Sequence, residues 1–529
     1  MKMKKCISLI SLILFAVMLF CGCSKHEEKT HALNCAWNSE PTSFDITKYN
    51  GADNLKIIWN IYEPLVRISD GKLTPAGASE WGISEDGLCY TFTIRENYWN
   101  DGIKVTADDY AQMLKRMADP ANLFANASDY YCILNFEKVN TGELSVDQLG
   151  VQAVDETTLQ IYLEYENNEF LAGIELYPER ADIVEAYGQN YGYSSDNMVC
   201  CGPFSLAEWD HNSKLVLKKN DKYWDNLDID EINIKIIPDS GTRLLEFNAG
   251  NIDYLAVSDE DMLLKLRESD DLYEVSAASA RTYMFLFNCK DAVFGNPKIR
   301  QAFSLAISRE EICSILDNNL TTPAFGLIPP STMVGQKDYR SAVQEPLKEL
   351  VETNVTAKEL LLEGLSELNI DDADDLTVVY SCPNDSTSRT LAEYYKEMWE
   401  KSLGVHITIE SQEFATYRSL IWSDEYQIAS TAWGGSLEPT FLLSRWLLDN
   451  QCQWDSEEYA QLLNEAITQT DDDVRLNQFA EAEKMLIADE AVIAPIKYDG
   501  YSVFYRNYVK NTETGPFDNI GFRNMRIER

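Results

Sequence analysis

The sequence predicts an α/β protein built as two or more lobes. Three observations lead there. Stretches in which apolar and polar residues alternate take turns with stretches of helical spacing, the pattern of strands packed against helices. The chain has 529 residues, more than one hydrophobic core organises. Its hydrophobic fraction of 45% is that of an ordinary globular protein, and no internal repeat is visible.

The first element is a targeting segment. Lys2, Lys4 and Lys5 precede an uncharged apolar run over 7–20, followed by F-C-G-C-S at 20–24. This has the shape of a secretory signal, too short for a membrane-spanning helix of about 20 residues. Gly22 directly before Cys23 resembles the lipobox of bacterial lipoproteins. That implies removal of 1–22 and a lipid on Cys23, although Phe20 stands where the box usually opens with Leu. An ordinary secretory signal cleaved nearby is the alternative. Residues 23–32 are polar and read as a tether.

The elements then follow in order. Residues 53–61 have helical character, and D-G pairs at 70–71 and 86–87 mark turns. L-C-Y-T-F-T-I-R at 88–95 alternates as a half-buried strand. Thr106 with Asp109 three residues on is a capping box, opening a helix that carries Tyr110, Leu114 and Met117 on one face. Residues 158–163 alternate again. Gly202-Pro203 interrupts the chain ahead of a strand, and 231–237 sets Ile232, Ile234 and Ile236 against Asn233 and Lys235. Residues 242–249 read as a helix ended by Gly250, and R-T-Y-M-F-L-F-N at 281–288 as a dense aromatic strand. Asn296 and Pro297 suit the cap and first position of a helix with Ile299, Ala302, Phe303, Ala306 and Ile307 inside. Strands at 376–380 and 405–410 flank a helix at 386–401. Residues 476–487 are helical, and 492–498 are apolar around Pro495.

Composition excludes several functions. The net charge of −41 repels the phosphates of nucleic acid. The cysteines have no C-x-x-C spacing, so no zinc site is expected, and Cys200-Cys201 reads as two small apolar residues. Only four histidines exist, and His26 and His31 fall in the tether, so a histidine-based triad or metal centre has little to draw on. No G-x-S-x-G elbow of a hydrolase appears.

The stretch I-A-S-T-A-W-G-G-S-L-E-P-T-F-L-L-S-R-W at 428–446 is the candidate site. An apolar run leads to Trp433, then Gly434, Gly435, Ser436 and Glu438. Glycines admit a close approach that a Cβ would block, and a large aromatic beside such a backbone makes a wall for a ligand. Read alone, it is also an ordinary buried Trp at a strand end.

Several segments together resemble the extracytoplasmic solute-binding proteins of peptide ABC importers, the oligopeptide- and dipeptide-binding family (family 5). They are, in order, Glu40-Pro41; I-Y-E-P-L-V and D-G-K-L-T-P-A; W-G-I-S-E-D-G through V-T-A-D-D at 81–109; C-G-P-F from Cys201; N-D-K-Y-W from Asn220; N-P-K-I-R-Q-A-F-S-L-A-I-S-R-E from Asn296; W-E-K-S-L-G-V-H-I-T-I-E-S-Q-E-F from Trp399; A-W-G-G-S-L-E-P-T-F-L from Ala432; and P-F-D-N-I around Phe517. They cover nearly the whole chain after the tether, in family order.

The resemblance implies a two-lobed, periplasmic-binding-protein-like α/β fold of type II with an extra N-terminal subdomain. Lobe I comprises 33–52, 178–280 and 494–529, the extra subdomain 53–177 and lobe II 281–493. The chain crosses between lobes near Arg281 and near Ala494-Pro495. It further implies a peptide ligand, a partner permease pair with ATPase subunits, membrane attachment through Cys23 at the outer face of the cytoplasmic membrane, and a monomer without cofactor or catalysis. By family position Trp433, Gly434, Gly435, Ser436, Glu438 and Phe414 line the site. Tyr283 and Phe285 lie on the hinge-side strand, Tyr130 or Tyr131 covers the cleft, and Arg389 and Arg418 are candidates for a ligand carboxylate. One departure matters. The family's amino-group Asp falls here on Gly435 or Ser436, and no carboxylate lies between Trp433 and Glu438. Either Glu438 or an acid from elsewhere replaces it, or the ligand lacks a free α-amino group, or its register differs. A receptor for a signalling peptide, or a binder of a sugar or metal chelate, is the alternative function.

Overall fold

The computed structural model describes residues 31–48, 52–69, 72–124, 126–167, 170–173, 176–257, 260–316, 320–353, 355–423, 425–447, 450–514 and 520–529. The signal segment, Cys23 and the tether up to residue 30 lie outside them.

Strand β1 (Ala32–Trp37) buries Leu33, Cys35 and Trp37 on one face. Strands β2 (Ala78–Ile83), β3 (Cys89–Ile94), β4 (Val151–Ala153) and β5 (Thr158–Tyr162) form their own sheet in the order β2-β3-β5-β4. The helix Ala107–Ala118 packs on it, its Thr106 N–H donating to Asp109 at 2.8 Å as the capping pattern anticipates. Strands β6 (Phe204–Asp210), β7 (Lys214–Lys219) and β8 (Glu231–Ile236) return to β1 in the order β1-β8-β7-β6, with Ile232 and Ile234 inside. A seven-stranded sheet follows. Its path is β9 (Tyr254–Val257), β14 (Ile493–Arg506), β10 (Leu272–Phe287), β13 (Ile428–Gly434), β11 (Thr377–Pro383) and β12 (His406–Gln412), with Thr322–Pro323 added on β14.

The buried side chains separate into cores that share no residue. Two are built from residues 33–266 and 503–527, and two from residues 284–496. The fold is therefore two-lobed. Strands β10 and β14 run through both lobes as one antiparallel pair. Their register holds from Leu272 opposite Arg506 to Ala278 opposite Gly500, then resumes with Thr282 opposite Tyr498. Ser279, Ala280 and Arg281 thus face Asp499 alone, a bulge between the two halves of the ladder. A smaller shift follows at Tyr283–Met284, beside Pro495, which has no N–H to give. Ala494 and Ile496 belong to a core of the second lobe.

Most predicted elements appear within a few residues of their expected bounds. The helix Ser386–Leu403 ends at Gly404 in the left-handed region, and Asn296 caps the helix Pro297–Leu305 by accepting the Lys298 N–H at 2.9 Å. The length of β10 and β14 differs. The sequence pattern shows a strand only over 281–288 and an apolar stretch over 492–498, whereas the strands have 16 and 14 residues. The extra residues include S-A-A-S-A and D-G-Y-S. Their propensity for strands is poor, and pairing across the lobes imposes the conformation.

A buried ionic knot joins three segments of the first lobe. Arg116 donates to Asp45 at 2.7 and 2.8 Å and to Glu179 at 2.5 Å. Burial pushes the Glu179 carboxyl up to about 7, with the Asp45 charge adding to the rise and the Arg116 charge opposing it. A carboxyl raised in the folded state contributes stability in full only below its ordinary value, and loses it as pH rises through 7. Glu179→Gln should therefore gain stability relative to the parent between pH 4.5 and 8, on the order of 2–3 kcal/mol. Urea midpoints across that range measure it; a pH-independent gap would contradict the assignment.

Candidate ligand site

The site is built on β13. It pairs along its whole length with β10, from Phe287 opposite Ile428 to Arg281 opposite Gly434. With β11 it pairs only at Ile428 and Ala429. Beyond that point the second edge of β13 carries no strand among the described residues. The Tyr417 hydroxyl closes the ladder: it accepts the Ser430 N–H at 2.9 Å and donates to the Ser430 carbonyl. Residues 431–434 are left as a short free edge that includes Trp433. A free edge of this kind presents backbone donors and acceptors to another extended chain.

The two glycines differ in purpose. Neither has a positive φ among the glycines that do. Gly434 is exposed, and a Cβ there would meet nothing within 4 Å. A Cβ on Gly435 would lie 3.0 Å from the Ala280 carbonyl oxygen and 3.3 Å from Leu442 and from Pro329. The Gly435 N–H donates to that same carbonyl. Gly435 thus clamps the turn after β13 onto the bulge of β10, and glycine is needed for closeness rather than for an unusual backbone. The Pro329 side is held by buried Glu483, which accepts from the Leu327 and Ile328 N–H groups at 2.8 and 2.9 Å and pairs with Arg340 at 2.7 Å.

The charges around the turn are not those of an ammonium site. Glu438 is buried and lies 3.3 Å from Arg475 Nη2, on the helix Asp472–Lys484. Ser436 is half-buried, its hydroxyl accepting the Glu438 N–H at 3.4 Å. A residue with no prior signal, Arg445, lies with its guanidinium carbon 4.1 Å from the Trp433 ring centroid and 4.5 Å from that of Phe441, which is 40% exposed. Asp129, on the short 3-10 helix Ala127–Tyr130 of the first lobe, feels the Arg445 charge. Lost hydration pushes the Asp129 carboxyl above its usual value, and Arg445 opposes this.

The remaining sequence candidates fall in different places. Phe414 opens the helix Phe414–Trp422 and is 59% exposed. Tyr283 is half-buried on β10, with the Lys497 ammonium 5.2 Å from its ring centroid. Phe285 is fully buried against Tyr380, Tyr395 and Trp399. Tyr130 is buried, stacked on Phe136 with centroids 5.7 Å apart, while Tyr131 is half-buried and donates to Asn140 at 3.4 Å. Arg389 and Arg418 are exposed. Cys200 and Cys201 are buried, and burial pushes the Cys200 thiol up to about 12, as suits small apolar packing. Among the described residues no cluster could hold a metal ion, and no helix is long and apolar enough to cross a membrane.

Two lobes bridged by paired strands, with an aromatic turn clamped at their junction, define a solute-binding protein. The chain belongs to the bacterial extracellular solute-binding proteins, family 5, whose middle region matches residues 72–453. It is 30% identical over 525 residues to the oligopeptide-binding protein OppA of Bacillus subtilis, covering 94% of each chain. It is 30% identical to the dipeptide-binding protein DppE of the same organism, covering 92% of this chain and 90% of that one. The solved structure of Listeria monocytogenes OppA bound to peptide is similar with a TM-score of 0.72 at 26% identity, covering 95% of this chain and all of that one. Family membership makes the chain a binding protein rather than an enzyme.

The glycine geometry yields a direct test. Gly434→Ala should change stability by less than about 0.5 kcal/mol, whereas Gly435→Ala should cost about 1–3 kcal/mol by crowding the Ala280 carbonyl. Thermal or urea unfolding separates them, and equal costs would contradict the clamp.

Proposed function

We propose that the protein captures extended peptides between its lobes and delivers them to the permease pair and ATPase subunits of an ABC importer. The observation that carries this is the free edge of β13 over 431–434 beside Trp433, in a chain similar to oligopeptide- and dipeptide-binding proteins. The peptide backbone adds to that edge, and its side chains meet Trp433, Phe414 and Tyr283. Gly434, Gly435 and Ser436 form the floor, and Glu438 supports it through Arg475. Tyr130 is buried on the same 3-10 turn as Asp129. Closure pivots at the bulge of Ser279–Arg281 opposite Asp499. A ligand touching both lobes favours the closed state because it makes those contacts only there.

The protein acts as a monomer, held at the outer face of the cytoplasmic membrane by a lipid on Cys23. One or two acyl chains plus the polar tether leave the lobes free to meet the permease.

Two measurements check this. Native mass spectrometry of the purified protein, followed by calorimetric titration with the peptides recovered, is expected to give peptide complexes that Trp433→Ala weakens about tenfold or more. Recovery of only non-peptide solutes would overturn the ligand assignment. Cys23→Ser should move the protein from the membrane fraction to the soluble one; retention at the membrane would remove the lipid from the account.

A further inference from the structure

Arg445 occupies an unusual position for a cation in this molecule. The chain holds 45 basic residues against 86 acidic ones, so a carboxylate partner is rarely far from an arginine. Arg445 makes no hydrogen bond or ion pair among the described residues, and its Nε is buried without a partner. Its guanidinium lies between the rings of Trp433 and Phe441, at 4.1 and 4.5 Å. Stacking satisfies the two faces of the planar group and fixes its orientation, but it leaves the in-plane N–H donors unused. Those donors form the fork that grips a carboxylate with two parallel hydrogen bonds.

The surroundings offer no internal anion in bonding contact. Residues 433–437 contain no carboxylate, and Glu438 is paired with Arg475. Asp129 acts on Arg445 through its charge alone, from an exposed position on the other lobe. Lost hydration pushes the Arg445 guanidinium below its usual value, so the cation is short of water as well as of a partner.

We propose that Arg445 is the specificity-determining residue of the cleft, and that the ligands it selects carry a carboxylate, from an acidic side chain or the peptide terminus, seated beside Trp433. This rests on the peptide-cleft reading above. It accounts for the missing carboxylate after Trp433: the turn is arranged for the negative end or an acidic residue of a ligand, and an ammonium there would face Arg445 as a like charge.

The test uses the full mature protein and defined probes. Alanine pentapeptides carry Glu at each position in turn, with the matching Gln peptides, each with a free and an amidated C-terminus, and affinities are read by calorimetry. The parent is expected to bind at least one carboxylate-bearing peptide about tenfold or more tighter than its neutral counterpart. Arg445→Gln should erase that preference, and Arg445→Lys, which keeps the charge but loses the fork, should retain part of it. The preference should shrink between 50 and 500 mM salt. Peptide binding by the parent without any carboxylate preference would overturn the role of Arg445 and leave the cleft reading standing. A preference that survives in Arg445→Gln would also overturn it. Failure of every peptide to bind a folded parent would overturn the cleft reading and this inference together. Circular dichroism and unfolding midpoints confirm that each variant is folded.

Discussion

The antiparallel ladder between β10 and β14 is the constraint on which the molecule depends. It is the pair of segments whose hydrogen bonds run from one lobe into the other. On one side of it stand the cores of residues 33–266 and 503–527, and on the other those of residues 284–496. Apolar burial holds each lobe together, but burial is non-directional and cannot by itself fix how two lobes meet. A continuous ladder can, because each backbone pair sets the next. The ladder is broken once over three residues, at Ser279–Arg281 opposite Asp499. A bulge loosens pairing locally while the flanking strands stay in their own sheets.

The turn after β13 is attached to that break. Gly435 donates to the carbonyl of Ala280, inside the bulge, and a side chain at 435 would push the two apart. Whatever displaces the bulge therefore displaces Trp433 and the free edge of β13. This gives the site a mechanical link to the relative position of the lobes without a long pathway, since the coupling is one hydrogen bond and one van der Waals contact. The buried Glu483 cluster performs the matching task on the other side, where a charge with several donors holds the Pro329 loop against the same glycine.

The charges around the turn depart from those that the resemblance implies. The resemblance implies an acid where Gly435 or Ser436 stands, and the structure places Arg445 against Trp433 instead, with Glu438 already engaged by Arg475. A scaffold that binds a ligand by its backbone leaves specificity to a few charged groups, and exchanging one of them changes the ligand without disturbing the fold.

The sequence by itself determined the fold class, most strands and helices, and the family. These are legible because they rest on local rules: the alternation of Ile232, Ile234 and Ile236, the cap at Asn296, the stop at Gly404, and ordered motifs that include Trp433-Gly434-Gly435. Tertiary structure alone decided three things. It made one strand of Leu272–Phe287, because segments poor in β-branched residues become strands only when a partner lies alongside. It assigned the two glycines different tasks, because closeness to Ala280 is a distance across more than 150 residues of chain. It brought Arg445 to Trp433. The spacing of Phe441 and Arg445 shows two residues on one helical face, but the turn between Trp433 and that face folds back only when Gly435 is held by the bulge. Side-chain charge near a ligand is a property of assembled surfaces, and a linear pattern records which residues are available, not which of them finish without a partner.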